Sequence, residues 1–330
     1  MKLAIFNTKS YDRIYFNRFN TSHTLKFYEA GLSSESVELA AGYEGVCVFV
    51  NDQLDAEVIK QLAAKNVKII ALRCAGFNNV DLKAAQAHGI AVVRVPAYSP
   101  HAVAEHAVAL IMTLNRKTHK AYNRVREGNF SLERLTGFDI FGKTVGVIGT
   151  GKIGEAFAKI MKGFGCRVLA YDVQSHPELV ALGVEFVPLN DLFAASDIVS
   201  LHCPLTPQTN RLINADTLKL MKPNAMLINT SRGGLIDSKA VIDSLKSGHL
   251  GYLGIDVYEQ EADLFFNDFS ESIIQDDVLM RLMSFSNVLI TAHQGFFTEE
   301  ALTQIAQTTF QNLTDFEKSQ LNPYTTLVMP

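Results

Sequence analysis

The sequence predicts an α/β protein made of two doubly wound parallel-sheet domains. Three observations predict this fold class. The chain has 330 residues, a length that suits about two domains. Short apolar runs rich in β-branched residues recur along it, and segments with a helical period separate them. Because neighbouring parallel strands need a crossover connection, usually a helix, this alternation favours βαβ units and buried parallel sheets.

The predicted strands form two groups, one on each side of residue 100. Those of the first group are 2–7, 46–50, 67–72 and 90–93. Those of the second group are 144–149, 167–172, 198–202, 225–229, 252–257 and 288–291. Each run is four to six residues long, which is the usual length of a strand in a buried parallel sheet.

A domain boundary is predicted near residue 100. The Ser-Pro pair at 99–100 is typical of an N-cap and a first helical residue. An apolar helix is predicted over about 101–122, crossing between the domains, with cationic side chains near its end. The C-terminal segment from about residue 298 has a helical period and should pack on the first domain. The predicted domains are therefore 1–100 plus 298–330, and 101–297.

Composition and charge exclude several classes of protein. With 48% apolar and 19% charged residues, the chain can bury sizeable cores, so it is not a largely disordered protein. A net charge of −4 lacks the basic excess of general nucleic-acid or membrane-surface binders. The N-terminal apolar run is too short for a secretory signal, and no run reaches membrane-spanning length. We therefore expect a cytoplasmic protein.

The cysteines agree with that expectation. Cys47, Cys74, Cys166 and Cys203 are scattered without CxxC spacing. Three of them lie within apolar runs, which is typical of reduced thiols in a cytoplasmic protein. No metal site is predicted from the cysteines.

A glycine-rich turn predicts a dinucleotide-binding site. Gly149, Gly151 and Gly154 fit the pattern G-x-G-x-x-G, between the strand 144–149 and a helical segment over 155–164. In this pattern the first glycine permits a tight turn, the second lets the backbone approach a pyrophosphate, and the third lets helix and strand pack closely. The pyrophosphate then lies against free N–H groups at the helix N-terminus.

An aspartate at the end of the next strand predicts which dinucleotide is bound. Asp172 follows Gly154 by eighteen residues. A carboxylate there accepts hydrogen bonds from the ribose hydroxyls of the adenosine and repels a 2′-phosphate. No arginine directly follows Asp172, so the sequence favours NAD over NADP as the cofactor.

Three ionisable residues lie at or near the ends of later predicted strands, where open α/β sheets bind their ligands. They are Arg232, Glu261 and His293. Reduction of a 2-keto acid needs a cation for the carboxylate, a proton donor for the carbonyl oxygen and a group that keeps this donor protonated. The three side chains match these needs. The spacing alone also fits a surface arginine, a solvated acidic stretch and a structural histidine.

Many segments, which follow one another in the same order, resemble the D-isomer-specific 2-hydroxyacid dehydrogenases. Together they extend over nearly the full length of the chain. The segments are 73–81, 95–98, 103–106, 149–154, 202–206, 229–233, 254–259 and 291–294. The resemblance implies a Rossmann NAD-binding domain over 101–297 and a flavodoxin-like substrate (catalytic) domain over 1–100 plus 298–330. We expect a homodimer or homotetramer that acts on a small-molecule substrate, with no nucleic-acid or membrane partner.

The resemblance implies a role for each matching residue. Arg232 would bind the carboxylate and carbonyl of the substrate, His293 would be the acid/base, and Glu261 would pair with His293. The residues implied to contact the substrate, besides Arg232, are Ala75, Gly76, Asn78 and Tyr98. Those implied to contact NAD are Gly149, Gly151, Lys152, Ile153, Gly154, Asp172, Cys203, Pro204, Asn210, Thr230, Ser231 and Asp256.

The resemblance also implies a substrate. Tyr98 and the segment 263–277 are similar to those of the bacterial fermentative members that act on D-lactate, so the expected reaction is reduction of pyruvate to D-lactate with NADH. Two alternatives stay open at this point. One is an NAD-dependent dehydrogenase for another 2-keto acid. Phe296 and Phe297 would influence which 2-keto acids are accepted. The other is a catalytically silent NAD-sensing protein of the same fold.

Overall fold

The computed structural model describes residues 1–261, 264–322 and 326–330. The chain divides into two compact units, which we call unit 1 and unit 2. Unit 1 comprises Met1–Ser99 and Phe297–Pro330, and unit 2 comprises Pro100–Phe296. These bounds lie one residue from the predicted ones. Asp263, at the start of the segment expected to resemble the D-lactate members, lies outside the described residues.

Strands and helices follow one another along both units. The strands of the described residues are β1 Lys2–Ile5, β2 Thr24–Phe27, β3 Gly45–Val48, β4 Ile69–Leu72, β5 Ala91–Arg94, β6 Thr144–Ile148, β7 Arg167–Tyr171, β8 Glu185–Phe186, β9 Ile198–Leu201, β10 Ala225–Asn229, β11 Leu250–Ile255 and β12 Val288–Ile290. The α-helices are α1 Ser10–Phe19, α2 Ala56–Ala64, α3 Leu82–Ala87, α4 Pro100–Arg116, α5 Thr118–Arg126, α6 Lys152–Gly163, α7 Pro177–Ala181, α8 Leu189–Ala195, α9 Ala215–Leu220, α10 Ser238–Lys246, α11 Asp277–Met283 and α12 Glu299–Glu317. Short 3₁₀ helices occupy Val37–Ala40 and Gly233–Leu235. Within the described ranges, no helix is both long and apolar enough to cross a membrane.

Unit 1 is built on a five-stranded parallel sheet with the order β2-β1-β3-β4-β5. This is the order of a flavodoxin-like doubly wound sheet, so the predicted fold class is confirmed for this unit. The central strands β3 and β4 are buried along their whole length, as strands covered on both faces should be. β2 was not predicted, because its residues alternate between exposed and half-buried positions at the sheet edge.

Unit 2 is built on a seven-stranded parallel sheet with the order β12-β11-β10-β9-β6-β7-β8. The strand order reverses between β6 and β9, which gives the Rossmann arrangement and confirms the predicted fold class. Ligands of such sheets bind outside the carboxyl ends of the strands, at this switch point. β8 escapes prediction because it has only two residues, and it lies at the sheet edge beside β7.

Apolar cores on both faces of the unit 2 sheet fix its strand ends in place. Successive residues of β10, Leu227 and Ile228, enter two different cores, so these cores lie on opposite faces of the sheet. One core packs Leu110 of α4 and Phe157 of α6 on the sheet, and the other packs Leu218 of α9. Full burial of one such side chain stabilises the fold by about 1.5–3 kcal/mol.

The predicted helix over 101–122 is interrupted in the structure. Lys117, between α4 and α5, adopts a left-handed backbone conformation with a φ of 50°. The side-chain amide of Asn115 exchanges two hydrogen bonds, both of 2.7 Å, with the backbone of Phe138, and so fastens a later segment to the end of α4. The prediction of one continuous helix was therefore wrong, because the backbone leaves the helical conformation at Lys117 and a second helix begins after it.

The helix α12 near the C-terminus belongs to unit 1. Phe310 of α12 meets Phe16 of α1 edge to face, with ring centroids 5.3 Å apart. The side-chain amide of Asn312 donates to the carbonyl of Arg94 at the end of β5, at 2.9 Å. The N-cap residue Thr298 accepts a hydrogen bond from the third residue of α12 and defines where the helix begins. Unit 1 is therefore discontinuous in sequence.

Candidate active site

The predicted site residues of unit 2 lie along one edge of its sheet. The residues that follow strand ends are Gly149 after β6, Asp172 after β7, Cys203 after β9, Thr230 and Arg232 after β10, Asp256 and Glu261 after β11, and His293 after β12. Because all these strands are parallel, their carboxyl ends share one edge. The fold thereby gathers residues that are far apart in the sequence.

His293 and Glu261 form a hydrogen-bonded pair at this edge. Nδ1 of His293 lies 2.7 Å from Oε1 of Glu261, and Nδ1 is the donor because a carboxylate only accepts. Oε2 of Glu261 accepts from the backbone N–H of Tyr258 at 2.8 Å. Glu261 is thus held by its own loop and fixes the ring orientation of His293. Nε2 is then the atom that can exchange a proton with a ligand, and the side chain is 20% exposed.

The loop that carries His293 is strained and is held by Asp256. His293 has a left-handed backbone with a φ of 52°, which a non-glycine residue keeps only when its surroundings hold it there. The backbone N–H of His293 donates to the carbonyl of Asp256 at 2.8 Å. The N–H groups of Gln294 and Gly295 donate to the Asp256 carboxylate, each at 2.7 Å. Asp256 therefore fixes three successive residues of this loop.

The buried carboxylate of Asp256 has two further partners. Thr291 donates to it from Oγ1, and Nε2 of His106 lies 3.2 Å away. Burial raises the pKa of Asp256, but the hydrogen bonds from His106 and Thr291 outweigh burial and hold the pKa below its ordinary value. Contact of Asp256 with NAD stays a prediction. The hydrogen bonds between Asp256 and the loop of His293 were not predicted from the sequence. The sequence does mark His106, because this polar residue interrupts the apolar run of α4.

Arg232 lies in the loop after β10, against the loop that follows β11. Gly233 permits this approach, because a Cβ on it would lie 2.1 Å from the carbonyl carbon of Tyr258. The side-chain amide of Asn229 donates to the carbonyl of Arg232 at 2.8 Å. The partly buried guanidinium donates from Nη1 to the carbonyl of Ser231 at 2.7 Å. The loop of Arg232 is therefore placed next to the loop that carries Glu261.

The glycine-rich turn joins β6 to α6. Gly149 has a φ of 93°, and a Cβ on it would lie 2.6 Å from the backbone nitrogen of Cys203, so a side chain does not fit. Gly151 is the N-cap of α6, and a Cβ there would meet no described atom within 4 Å. Open space therefore lies in front of the first turn of α6. The N–H groups of Lys152 and Ile153 in this turn suit an anionic group such as a pyrophosphate.

Gly154 makes the closest approach in this turn, and we predict that its replacement destabilises the turn. A Cβ on Gly154 would lie 1.9 Å from the carbonyl oxygen of Gly149. We expect Gly154→Ala to lower the free energy of unfolding by about 1–3 kcal/mol, because the turn must open to admit a methyl group. The same opening should weaken NADH binding. Urea unfolding and a fluorescence titration with NADH measure the two effects.

Gly163→Ala is the matched control for this variant. Gly163 is the last residue of the same helix, and a Cβ on it would meet no described atom within 4 Å. This control should keep its stability or gain up to about 1 kcal/mol, because alanine favours a helix more than glycine does. Equal stability and equal NADH affinity in the two variants would contradict the close packing described for the turn.

Asp172 is bonded to the glycine-rich turn. Its Oδ2 accepts from the backbone N–H and from Oγ1 of Thr150, at 2.5 and 2.8 Å, and its Oδ1 accepts from the N–H of Val173. Burial raises the pKa of Asp172, but these hydrogen bonds outweigh burial and hold the pKa below its ordinary value. The carboxylate is therefore ionised at neutral pH, as repulsion of a 2′-phosphate requires. Sequence reasoning missed Thr150, because a variable position of the glycine motif carries no signal of its own.

The loops after β9 and β10 fit a bound dinucleotide. Thr230 is buried, and its Oγ1 has no hydrogen-bond partner among the described residues, so a polar ligand group would satisfy it. Oγ of Ser231 donates to the carbonyl of Cys203 at 2.7 Å and ties the two loops together. Burial raises the pKa of the Cys203 thiol to about 11, so this side chain is a neutral wall and not a reactive thiolate. Pro204 and Asn210 are exposed on the loop after β9.

The substrate-binding residues predicted in unit 1 follow two of its strands. Ala75, Gly76 and Asn78 come after β4, and Tyr98 comes after β5. The guanidinium of Arg94 donates to the carbonyl of Ala75 at 2.9 Å and so fixes the loop after β4. Contact of these four residues with a substrate stays a prediction.

Comparisons with known proteins agree on one family. Residues 108–295 match the family model of the NAD binding domain of the D-isomer specific 2-hydroxyacid dehydrogenases. The chain is 58% identical to 2-hydroxyacid dehydrogenase A of Aspergillus oryzae over 321 residues, which are 96% of this chain and 92% of that protein. It is similar to the apo-structure of D-lactate dehydrogenase from Escherichia coli, with a TM-score of 0.92, 52% identity and coverage of 99% and 100% of the two chains.

A structure determined with ligands is also similar. The D-lactate dehydrogenase of Aquifex aeolicus, complexed with NAD and lactic acid, aligns with a TM-score of 0.88 and 32% identity over 99% of each chain. The alignments with these three proteins extend over nearly the whole length of this chain and of each relative, so they include both unit 1 and unit 2. The chain therefore belongs to the D-isomer specific 2-hydroxyacid dehydrogenases, and unit 2 is its NAD-binding domain.

Proposed function

We propose that this chain is an NAD-dependent D-lactate dehydrogenase, which reduces pyruvate to D-lactate with NADH. The observation that carries the proposal is the contact of 2.7 Å between Glu261 and His293 at the carboxyl edge of the NAD-binding domain. Such a pair supplies the positioned, protonated imidazole that a ketone needs when it becomes an alcohol. The similarity to D-lactate dehydrogenases over nearly their whole length supports pyruvate as the substrate.

Each side chain has one task in the reaction. Bound NADH supplies the hydride that reduces the keto carbon. The guanidinium of Arg232 binds the substrate carboxylate through two parallel hydrogen bonds and polarises the carbonyl. His293 donates the proton on Nε2 to the carbonyl oxygen, and Glu261 stabilises the imidazolium until that proton leaves. In the reverse direction, His293 accepts the hydroxyl proton of D-lactate.

The proposal includes four residues of unit 1. The backbone N–H groups of Ala75 and Gly76 are assigned to the substrate carboxylate, with Asn78 and Tyr98 assigned to the same substrate. The hydrogen bond from Arg94 to the carbonyl of Ala75 supports this assignment, since it fixes the loop that carries these N–H groups.

The test of the function is the loss of NADH absorbance on addition of pyruvate, with the chirality of the product determined. We expect fast turnover and D-lactate as the product. NADPH should give a kcat/KM lower by about tenfold or more, because Asp172 repels a 2′-phosphate. Faster turnover of hydroxypyruvate, phenylpyruvate or 2-ketoisocaproate would overturn the choice of substrate. Tight NADH binding without turnover of any of these would overturn the assignment as an enzyme.

We further propose that the chain forms a homodimer or homotetramer through the region of α5. Tyr122, Val125, Phe130, Leu132 and Phe141 are all more than half exposed on unit 2, an unusual concentration of apolar surface in one segment. A second copy packed on this segment would remove the side chains from water. We also infer a cytoplasmic location, which the four free and buried cysteines support.

Replacing Phe130 and Leu132 together with serine is expected to lower the oligomeric state. The two side chains are 74% and 81% exposed, so the exchange removes apolar contact area and leaves the core of unit 2 intact. Light scattering gives the particle mass relative to the 36.4 kDa chain. Ile273→Ser is the control, because Ile273 is 84% exposed outside this segment. A wild-type mass of one chain, or a double variant with the wild-type mass, would contradict the proposed interface.

A further inference from the structure

A cavity of about 670 Å³ opens on unit 2 at the edge of the sheet opposite to the catalytic residues. Its wall consists partly of residues that precede or begin strands: Lys143 precedes β6, Asp197 precedes β9, Ala225 begins β10 and Asn287 precedes β12. The catalytic and cofactor-binding residues instead follow the carboxyl ends of strands in the same sheet. A five-residue strand such as β6 spans about 15 Å, so the cavity is a separate site.

This cavity, which we call the basic cavity, is strongly cationic. Six lysine and arginine side chains and one carboxylate, that of Asp197, line it, so its formal charge is +5 although the whole chain carries −4. The six cations are Lys117, Lys120, Arg124, Arg134, Lys143 and Lys222. A concave wall of one charge sign focuses the electrostatic potential and concentrates ions of the opposite sign.

Backbone carbonyls, which carry no formal charge, are the hydrogen-bond acceptors for half of these cations. Lys117, Lys120 and Arg124 donate to the carbonyls of Thr136, Ser286 and Glu133. Lys222 differs, because it pairs with the Asp197 carboxylate at 2.9 Å. Burial lowers the pKa of Lys120, and the charges of Lys117 and Arg124 lower it further. The cations therefore repel one another, and an anion bound among them would relieve that repulsion.

His119 adds a neutral polar group to the basic cavity. Its Nδ1 is buried and has no hydrogen-bond partner among the described residues. Burial and the charge of Lys120 lower the pKa of His119, so the ring is mostly neutral at pH 7. A neutral imidazole nitrogen without a partner can bond a ligand oxygen or hydroxyl without adding to the charge.

We propose that the basic cavity binds a small polyvalent anion, one that carries two or more phosphate or carboxylate groups. The formal charge of +5 requires more than one negative charge for neutralisation, and lysine and arginine are the usual donors to such oxygens. A volume of about 670 Å³ suits a ligand of metabolite size and excludes a duplex nucleic acid from the interior. Binding there would not compete with pyruvate or NAD, because it uses the other edge of the sheet.

Isothermal titration calorimetry on the NADH-saturated enzyme tests the proposal, with tripolyphosphate and tricarballylate as the probes. NADH occupies the pyrophosphate site of the glycine-rich turn, so anion binding there does not contribute. We expect saturable binding of one anion per chain for at least one probe, with an affinity that falls as NaCl is added. The probe that binds more tightly identifies whether the site prefers phosphate or carboxylate groups.

Variants locate the binding. Lys120→Gln with Arg124→Gln should weaken binding by about tenfold or more, since a hydrogen bond to a charged group contributes a factor of that order. Arg134→Gln, at an exposed position, should weaken it as well and keeps the test valid if the double variant does not fold. The control is Lys219→Gln with Lys246→Gln, which removes the same charge from α9 and α10 outside the cavity. Pyruvate turnover without added anion should be unchanged in all of them.

Two results would overturn the proposal. One is the absence of saturable binding of either probe at low ionic strength. The other is binding that the cavity variants weaken no more than the Lys219 and Lys246 control does, because such binding reports the net charge of the chain or an anion held elsewhere, as at Arg232.

Discussion

Replacing His293 with alanine is expected to lower kcat for pyruvate by about 10²–10⁴-fold, the usual contribution of a general acid. The variant lacks the proton on Nε2 that the carbonyl oxygen must receive as the keto carbon is reduced. NADH affinity should change little, because His293 follows β12 whereas the glycine-rich turn follows β6. Steady-state kinetics and an NADH titration measure the two quantities separately.

Two further variants make this result specific. His88→Ala is the matched control, since His88 is exposed at the end of α3 in unit 1, and it should keep wild-type turnover. Glu261→Gln retains an oxygen that can accept from Nδ1 of His293 but removes the negative charge. We therefore expect a loss of kcat smaller than that of His293→Ala. A His293→Ala enzyme that keeps most of its kcat would mean that another group supplies the proton.

Most strands of both sheets could be predicted from the sequence for one physical reason. A parallel strand covered on both faces must be apolar throughout, so it stands out as a short continuous run. The predicted strand 225–229 coincides with β10, and all of its residues are buried. β2 and β8 lie at sheet edges and do not form such runs, so their pairing is set by neighbouring strands and not by their own composition.

The features of the site likewise divide into those that the sequence predicts and those that only folding brings together. Strand ends and the family resemblance single out Glu261 and His293, and the structure brings these two into contact. The bonds from Gln294 and Gly295 to Asp256 join residues 38 and 39 positions apart and leave no periodic trace in the sequence. The basic cavity could not be predicted from the sequence for the same reason, since several loops of unit 2 each contribute one or a few of its cations.

Arg232→Gln is expected to lower kcat/KM for pyruvate by about 10²–10³-fold. Removing one partner of a hydrogen-bonded ion pair in a partly buried site costs several kcal/mol, and each 1.4 kcal/mol is a factor of about ten. Pyruvate binding and polarisation of its carbonyl both depend on the guanidinium, so KM should rise and kcat should fall. Initial rates over a range of pyruvate concentrations, with NADH saturating, separate the two changes.

Arg232→Lys separates the charge of the guanidinium from its shape. Lysine keeps the positive charge but cannot donate two parallel hydrogen bonds to a carboxylate, so it should recover only part of the lost kcat/KM. Arg281→Gln is the control, because Arg281 is an exposed residue of α11 whose guanidinium stacks on Phe285. Full recovery with lysine would mean that charge alone holds the substrate. Unchanged pyruvate kinetics in Arg232→Gln would contradict the proposed role and leave the carboxylate to the N–H groups of Ala75 and Gly76.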